Sequence, residues 1–174
     1  EFCASTSQGC KVTQDNTHVV KLNFMKRGQP LFAIFEGANG PEVAQYARRH
    51  LDEYVQQAFL YGSSEIHIAL KQAFLMFDEF LNDPKAQEEM KKIRKDFSPN
   101  LSDNEPGVSS GSDAILGIIK NHNYYVACAG DSHCIVIRKK EFVQLYPGDQ
   151  NDSKTSQEKV KIIHILGNTV WKAS

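Results

Sequence analysis

Residues 31–51 read LFAIFEGANGPEVAQYARRHL and join an apolar run, a glycine turn and a helical pattern in immediate succession. The run Leu31–Phe35 contains no polar residue, which is typical of a strand buried on both faces. Glu36 places a carboxylate at the end of that strand, and the two glycines that follow can adopt the positive φ angles of a tight turn. Pro41 is preorganised for the start of a helix. Such a strand end is a common setting for a metal or phosphate site.

The segment before this one predicts a second strand. Residues 19–24 alternate apolar and polar side chains, and residues 26–30 contain the glycine and proline of a turn. An antiparallel pair is therefore expected. In that pair Asp15 precedes one strand and Glu36 follows its neighbour, so their carboxylates are expected to approach each other at one edge of the sheet.

Helical patterns fill the region after Pro41. Apolar residues recur at helical spacing from Val43 to Phe59 and again from Ile66 to Leu81, and residues 82–84 mark a break before a new helix. Residues 85–97 carry dense charges around a thin apolar stripe, which favours a solvated helix. Residues 98–110 are polar with two prolines and are expected to form a mobile linker inside the domain.

The second half of the chain is rich in strand patterns. Residues 114–119, 124–129 and 134–137 are apolar runs separated by turn residues, including Gly130-Asp131-Ser132, and we expect an antiparallel meander. Hairpin strands, then helices, then further strands indicate an α+β fold, since the alternation of a parallel sheet is missing.

Composition sets further bounds. The 174 residues fit one domain, residues 1–174, and the net charge of −1 gives no case for binding nucleic acid. Since no apolar run approaches the roughly 20 residues of a membrane span, we expect no membrane partner. The four cysteines lack metal or disulfide spacing and are expected to be buried free thiols in a reducing compartment, so we expect an intracellular, cytoplasmic protein. The absence of an initiator methionine suggests a longer parent chain.

Two motifs resemble the type 2C metal-dependent serine/threonine protein phosphatases. FAIFEGANG followed by a helix is similar to the family's FAVFDGHGG signature, and residues 111–138 resemble its GSTA strand, hairpin and GDSR turn. Residues 13–16 lie where the family has a Glu-Asp pair, and residues 165–172 vaguely resemble its SRALGD segment. The resemblance implies an antiparallel β-sandwich flanked by helices, with two Mg²⁺ or Mn²⁺ ions activating a water that attacks a phosphoserine or phosphothreonine.

The same resemblance exposes departures at the chemistry. Glu36 stands for the bridging aspartate and is one methylene longer, a shift of about 1 Å where Mg²⁺ requires near-ideal geometry. Ala38 stands for a histidine assigned as general acid and cannot transfer a proton. Lys11 is the nearest match to a phosphate-binding arginine and lacks its planar fork. Further departures are Asp113 for threonine, His133 for arginine and Asn168 for aspartate.

Four family metal positions keep an oxygen donor: Asp15, Glu36, Gly37 through its carbonyl, and Asp131. Asp15, Glu36 and Asp131 can also be interpreted as turn or strand-end residues. Later aspartate motifs of the family have no counterpart before Ser174, so the fold is expected to be shortened at its C-terminal end. We therefore expect no catalytic residue and no cofactor, with Mg²⁺ or Mn²⁺ only if residual metal binding survives.

Two functions follow as hypotheses. The first is a catalytically inactive phosphatase domain that binds or regulates another protein, such as a kinase or other signalling protein, with residues 85–97 and the linker as the candidate surface. The second is an atypical Mg²⁺- or Mn²⁺-dependent serine/threonine phosphatase with weak or cryptic activity. A purely structural segment of a larger polypeptide is a third possibility.

Overall fold

The computed structural model describes residues 2–11, 13–25, 28–60, 65–97, 109–121, 123–138, 141–146, 161–166 and 169–173. Three helices follow the first two strands, and six further strands follow the helices. In chain order the elements are β1 Asn16–Phe24, β2 Gln29–Ala38, α1 Glu42–Leu60, α2 Ile66–Phe80, α3 Pro84–Phe97, β3 Gly111–Lys120, β4 Asn123–Ala129, β5 Cys134–Arg138, β6 Glu141–Tyr146, β7 Lys161–Leu166 and β8 Thr169–Ala173.

The strands form two antiparallel sheets. One has six strands in the order β1-β2-β3-β4-β7-β8, and the other is the β5-β6 pair. The predicted pairing of β1 with β2 is confirmed, with Asn16 opposite Glu36 and Lys21 opposite Leu31. β2 also pairs with β3 along its length, from Leu31 opposite Ile118 to Ala38 opposite Gly111. The α+β architecture of antiparallel sheets and helices is confirmed.

Strand β2 is not buried on both faces, so that prediction was wrong. Leu31, Ala33 and Phe35 are buried, whereas Ile34 is 60 % exposed. The alternation arises because helices cover one face of the sheet and successive strand residues point to opposite faces. An unbroken apolar run therefore overstated the burial of this strand.

The predicted meander holds for only part of its length. β3 and β4 form the expected hairpin, and β5 pairs with β6. Residues 130–133, however, lead from the six-stranded sheet to the separate two-stranded sheet, so Gly130-Asp131-Ser132 is not the turn of a hairpin. The partner of β4 is instead β7, with Tyr124 opposite Ile165.

The core lies between the helices and the covered face of the sheet. α1 contacts β1, β2 and β3, while α2 contacts α1, β4 and β7. α1 begins one residue after Pro41, whose carbonyl accepts a hydrogen bond from the Gln45 N–H at 2.9 Å. Asp52 of α1 is buried and forms an ion pair with Lys21 of β1. The largest fully buried apolar side chains include Phe35, Leu31, Leu51, Leu70, Met90, Ile93, Leu116 and Ile118.

Helix α3 is less solvated than its charge density suggested. It begins at the predicted break, where the Asp83 carboxylate accepts a hydrogen bond from the Lys85 N–H at 2.8 Å, the contact of an N-cap. Ala86, Met90, Ile93 and Arg94 are buried, and α3 packs on α1. The thin apolar stripe thus attaches α3 firmly to the helical layer.

Two further expectations concern the cysteines and the linker. All four cysteines are free, as predicted, but Cys3 and Cys10 are exposed rather than buried. Burial raises the pKa of the Cys128 thiol to about 12, which keeps this thiol protonated and unreactive.

Residues 98–108 of the predicted linker lie outside the described residues, whereas Ser110 is buried and belongs to the folded domain. Among the described helices none is long and apolar enough to cross a membrane.

Candidate functional site

A row of polar side chains crosses three strands at one end of the six-stranded sheet. Glu36 of β2 lies directly opposite Asn16 of β1 and Asp113 of β3. Residues directly opposite each other across antiparallel strands share one face, with Cβ atoms about 4.5–5.5 Å apart. The Cβ atoms of Glu36 and Asp113 are therefore close neighbours, and the neutral amide of Asn16 lies on the other side of Glu36.

Lys11 supplies a positive charge to this row. Its Nζ donates a hydrogen bond to Glu36 Oε1 at 3.0 Å, and both side chains are about half exposed. The hydrogen bond to Glu36, together with the negative charges of Glu36 and Asp15, raises the pKa of Lys11. An ammonium group thus contacts the carboxylate that the sequence predicted to face a metal ion.

Asp15 comes just before β1, as the sequence predicted, and its backbone lies beside the glycine turn. The Gly37 N–H donates a hydrogen bond to the Asp15 carbonyl at 3.2 Å. Asp15 Oδ1 is buried and has no hydrogen-bond partner among the residues described. The contact needs a glycine, because a Cβ atom on Gly37 would lie 2.6 Å from the Gly40 carbonyl oxygen and 3.0 Å from the Asp15 Cβ.

Neither Ala38 nor Ser112 supplies acid, base or nucleophile chemistry. Ala38 ends β2 opposite Gly111, so no proton donor comes from this pair of positions. The Ser112 hydroxyl donates a hydrogen bond to the carbonyl of Asp113 at 2.9 Å. A hydroxyl engaged locally in this way is not positioned as an activated nucleophile.

The Gly-Asp-Ser segment continues the row at the end of β4. Gly130 has a φ of 85° and packs against the Asp113 carboxylate so closely that a Cβ atom there would overlap it. The next residue, Asp131, is exposed. His133 is exposed too, and Asn168 lies outside the described residues. The structure thus brings Asp113 next to the residue that precedes Asp131, a contact that the sequence did not predict.

A buried ion pair that the sequence did not predict contacts the turn that follows β2. Arg94 Nη2 lies 2.8 Å from Glu42 Oε1, and the side chains are 7 % and 0 % exposed. Arg94 Nη2 also donates to the Asn39 carbonyl at 3.3 Å, and the Ser110 hydroxyl donates to Glu42. The available signal was the spacing of Met90 and Arg94, which puts Arg94 on the apolar stripe of α3.

Whether these residues fit a pair of divalent ions depends on the oxygen donors that they offer. A two-ion centre needs several converging oxygen ligands. The buried, unpartnered Asp15 Oδ1 suits a cation, but Asn16 offers a neutral amide and the Lys11 ammonium already contacts Glu36. Within the described ranges, no group of three or more Asp, Glu, His or Cys residues is arranged to hold a metal ion. These donors do not fit a two-ion centre, and a metal role for Asp15, Glu36, Gly37 and Asp131 stays a prediction.

The chain is similar to several known proteins. Residues 1–150 match the family model described as Protein phosphatase 2C. Probable protein phosphatase 2C 5 of Paramecium tetraurelia is 31 % identical over 138 residues, which cover 79 % of this chain and 44 % of the relative. Probable protein phosphatase 2C 21 of Arabidopsis thaliana is 24 % identical over a region that covers 91 % of this chain and 52 % of the relative. The chain spans about half the length of these curated relatives.

A solved structure supports the fold in the same way. The structure described as a C. elegans sex determining protein superposes with a TM-score of 0.59 at 23 % identity, covering 78 % of this chain and 31 % of that one. At this identity the match concerns the fold alone. The family model covers most of the chain, and it includes the Glu36 turn as well as the Gly-Asp-Ser segment. The chain therefore belongs to the protein phosphatase 2C family.

Proposed function

We propose that this chain is a catalytically inactive protein phosphatase 2C domain that acts as a protein-binding or regulatory module. The family catalyses hydrolysis through ligands and proton donors whose types are strict, because divalent ions need converging carboxylates and proton transfer needs a titratable group. A fold that keeps its turns and core while losing those groups retains a surface but not the reaction.

The observation that carries the proposal is the pair of side chains at the end of β2. Glu36 is longer than aspartate and contacts Lys11, and Ala38 has no functional group. These two changes lie two residues apart, and each weakens the same reaction. Gly37, Pro41 and the close contact with Asp15 meanwhile preserve the turn itself.

The proposed partner is another protein, for example a kinase or other signalling protein. Helix α3 is the candidate surface, since its outer side exposes Lys91, Lys95 and the aromatic ring of Phe97, which is 46 % exposed. Its inner side is fixed on α1, so the surface is presented on a rigid element. Charge reversal at Lys91 and Lys95 is expected to weaken binding of a purified partner, whereas reversal at Lys71 on α2 is the matched control.

The decisive experiment is a Mn²⁺-dependent turnover assay with para-nitrophenyl phosphate on the longest native form of the protein. We expect no saturable, metal-dependent turnover. The variant Glu36→Asp/Ala38→His restores the family residues and is compared under the same conditions. Turnover gained by this variant would locate the defect at these two positions.

The alternative, an atypical Mg²⁺- or Mn²⁺-dependent phosphatase, makes the opposite prediction. Micromolar Mn²⁺ binding with metal-dependent turnover by the unchanged protein would refute the inactive domain. An Asp15→Asn variant serves as the control in that case, because loss of a metal ligand must then abolish the turnover.

A further inference from the structure

A cavity of about 150 Å³ lies between helices α1 and α2 and the covered face of the six-stranded sheet. The helices line it with apolar side chains of the core, among them Val43, Leu51, Phe74 and Phe77, which are between 2 % and 8 % exposed. An engineered apolar cavity of about this volume, lined by Leu, Ile and Phe, binds benzene. The space between the helices and the sheet is therefore large enough for one aromatic ring.

The sheet leaves this space because its strands carry small residues there. Ser112 and Ala114 line the cavity from β3, and Ala129, directly opposite Ala114, lines it from β4. Two residues further along the same face, Leu116 and Ala127 are opposite each other and are not among the lining residues. Since every second residue of a strand faces the helices, the cavity is a local consequence of small side chains at these strand ends.

The hydroxyl groups in the wall already have acceptors within the chain. The Ser110 hydroxyl donates a hydrogen bond to Glu42, and the Ser112 hydroxyl donates one to the carbonyl of Asp113. An apolar group that enters the cavity therefore does not deprive either hydroxyl of its partner, which would otherwise oppose binding.

The mouth of the cavity carries a negative charge. Leu75 and Asp78 of α2 both line the cavity and are both exposed, and their spacing of three residues makes them neighbours on one side of the helix. Among the described residues, no lysine, arginine or histidine forms an ion pair with the Asp78 carboxylate. An apolar space with a carboxylate at its opening is complementary to an apolar group that carries a positive charge.

We propose that this cavity is a binding site for a small aromatic amine, with the ring between α1, α2 and the sheet and the ammonium group at Asp78. The site goes beyond the proposed function and does not depend on it. Phe35 lines the cavity, whereas Glu36, the next residue of β2, is exposed on the opposite face of the sheet.

The test is a titration of the unchanged protein with benzylammonium and with its neutral isostere ethylbenzene, followed by amide NMR spectroscopy. We expect both probes to produce saturable shifts of the Ala114 and Ala129 resonances. Asp78→Asn is expected to weaken benzylammonium binding about two- to fivefold, as loss of an exposed ion pair does, and to leave ethylbenzene binding unchanged. Glu79→Gln is the matched control and is expected to change neither, since Glu79 is exposed on the same helix but does not line the cavity.

A variant that fills the cavity provides a second test. Ala129→Leu is expected to abolish the binding of both probes, while its midpoint of thermal unfolding stays at or above that of the unchanged protein. Ala127→Leu is the control on the same strand and face. Ala127 is 0 % exposed and does not line the cavity, so a larger side chain there overpacks the core and is expected to lower the midpoint.

Two results with intact core packing would overturn the inference: no saturable shift with either probe up to its solubility, or equal benzylammonium affinity in Asp78→Asn and the unchanged protein. Ethylbenzene binding retained by folded Ala129→Leu would also overturn it, because the probe would then bind elsewhere. Phosphatase turnover enters none of these measurements, so failure of this inference and failure of the proposed function are distinguishable.

Discussion

Gly37 occupies a position where a side chain has no room. A Cβ atom there would lie 2.6 Å from the Gly40 carbonyl oxygen, a backbone atom that cannot rotate away. We expect Gly37→Ala to lower the free energy of unfolding by about 1–3 kcal/mol, as overpacking does in a close-packed core. Urea denaturation followed by circular dichroism measures the change.

Gly111→Ala is the control for Gly37→Ala. Gly111 begins β3 directly opposite Ala38, and a Cβ atom there meets nothing within 4 Å. Its substitution is expected to change the free energy of unfolding by no more than about 0.5 kcal/mol. Equal changes in the free energy of unfolding for Gly37→Ala and Gly111→Ala would contradict the close packing described at Gly37.

The chemical role of a single residue could be predicted from sequence where the residue type alone decides it. Ala38 has no proton to give in any fold, and Glu36 is one methylene longer than aspartate wherever it lies. The partner of Glu36 could not be predicted, because Lys11 is far away in sequence and its position depends on how residues 2–11 lie against the sheet. The position of Asp15 just before β1 was predicted correctly, and its backbone contact with Gly37 follows from the pairing of β1 with β2.

At the scale of elements, Glu89 joins α3 to α1. Its carboxylate contacts Arg49 Nη1 and His50 Nε2, each at 2.9 Å. Burial alone would raise the pKa of Glu89, but the hydrogen bonds from Arg49 and His50 outweigh it and lower the pKa below its usual 4.5. The charged form of Glu89 is therefore preferred in the folded chain.

This preference makes the α1–α3 contact sensitive to acid. A lowered pKa contributes stability above the unfolded value of 4.5, and that contribution is lost as the pH falls through the folded value. We expect Glu89→Gln to cost about 0.5–1 kcal/mol at neutral pH, a value reduced by solvent screening, and nothing at strongly acidic pH. Thermal unfolding across that pH range measures both. A cost of Glu89→Gln that stays constant across this pH range would contradict the assignment.

The boundaries of the helices and strands could be predicted from local chemistry. The elements and side chains with which they pair or pack could not. Pro84 and the Asp83 cap set the start of α3, which the sequence predicted. The change of sheet after β4 was not predictable, because Gly130-Asp131-Ser132 has the same composition as a hairpin turn. Arg94 was likewise interpreted as solvated, since only packing decides whether a charge on an apolar stripe finds a buried partner such as Glu42.

At the scale of the whole molecule, the Glu42–Arg94 ion pair ties the helices to the strand ends. Arg94 reaches the Asn39 carbonyl after β2, and Ser110 before β3 donates to Glu42. We expect Arg94→Met to cost about 3–5 kcal/mol, because it leaves the carboxylate of Glu42 buried without its counter-charge. Urea denaturation measures the loss, and Glu42→Gln/Arg94→Met is expected to recover part of it.

Lys92→Met is the control for Arg94→Met, since it breaks the exposed Lys92–Glu88 ion pair, which has a similar length. Its expected cost is within about 0.5 kcal/mol. A similar cost for Lys92→Met and Arg94→Met would mean that burial does not strengthen the Glu42–Arg94 pair.

The family fold as a whole was predictable because two motifs occur in the right order, and the α+β prediction was confirmed. The motifs carry that information because turns such as Gly37 and Gly40 restrict the backbone locally. Which faces of the sheet are covered was not predictable, as Ile34 illustrates, because coverage depends on elements far along the chain.

The pairing of β2 with β3 has a consequence for how the chain folds. Residues 39–110 lie between the two strands in sequence, so their pairing must overcome the entropy of closing a long loop. The β1–β2 hairpin and the helices have local contacts and can form first. During synthesis, Leu31–Ala38 therefore presents an open hydrogen-bonding edge until Gly111–Lys120 arrives, the interval in which a nascent chain is most exposed to wrong pairing with a neighbour.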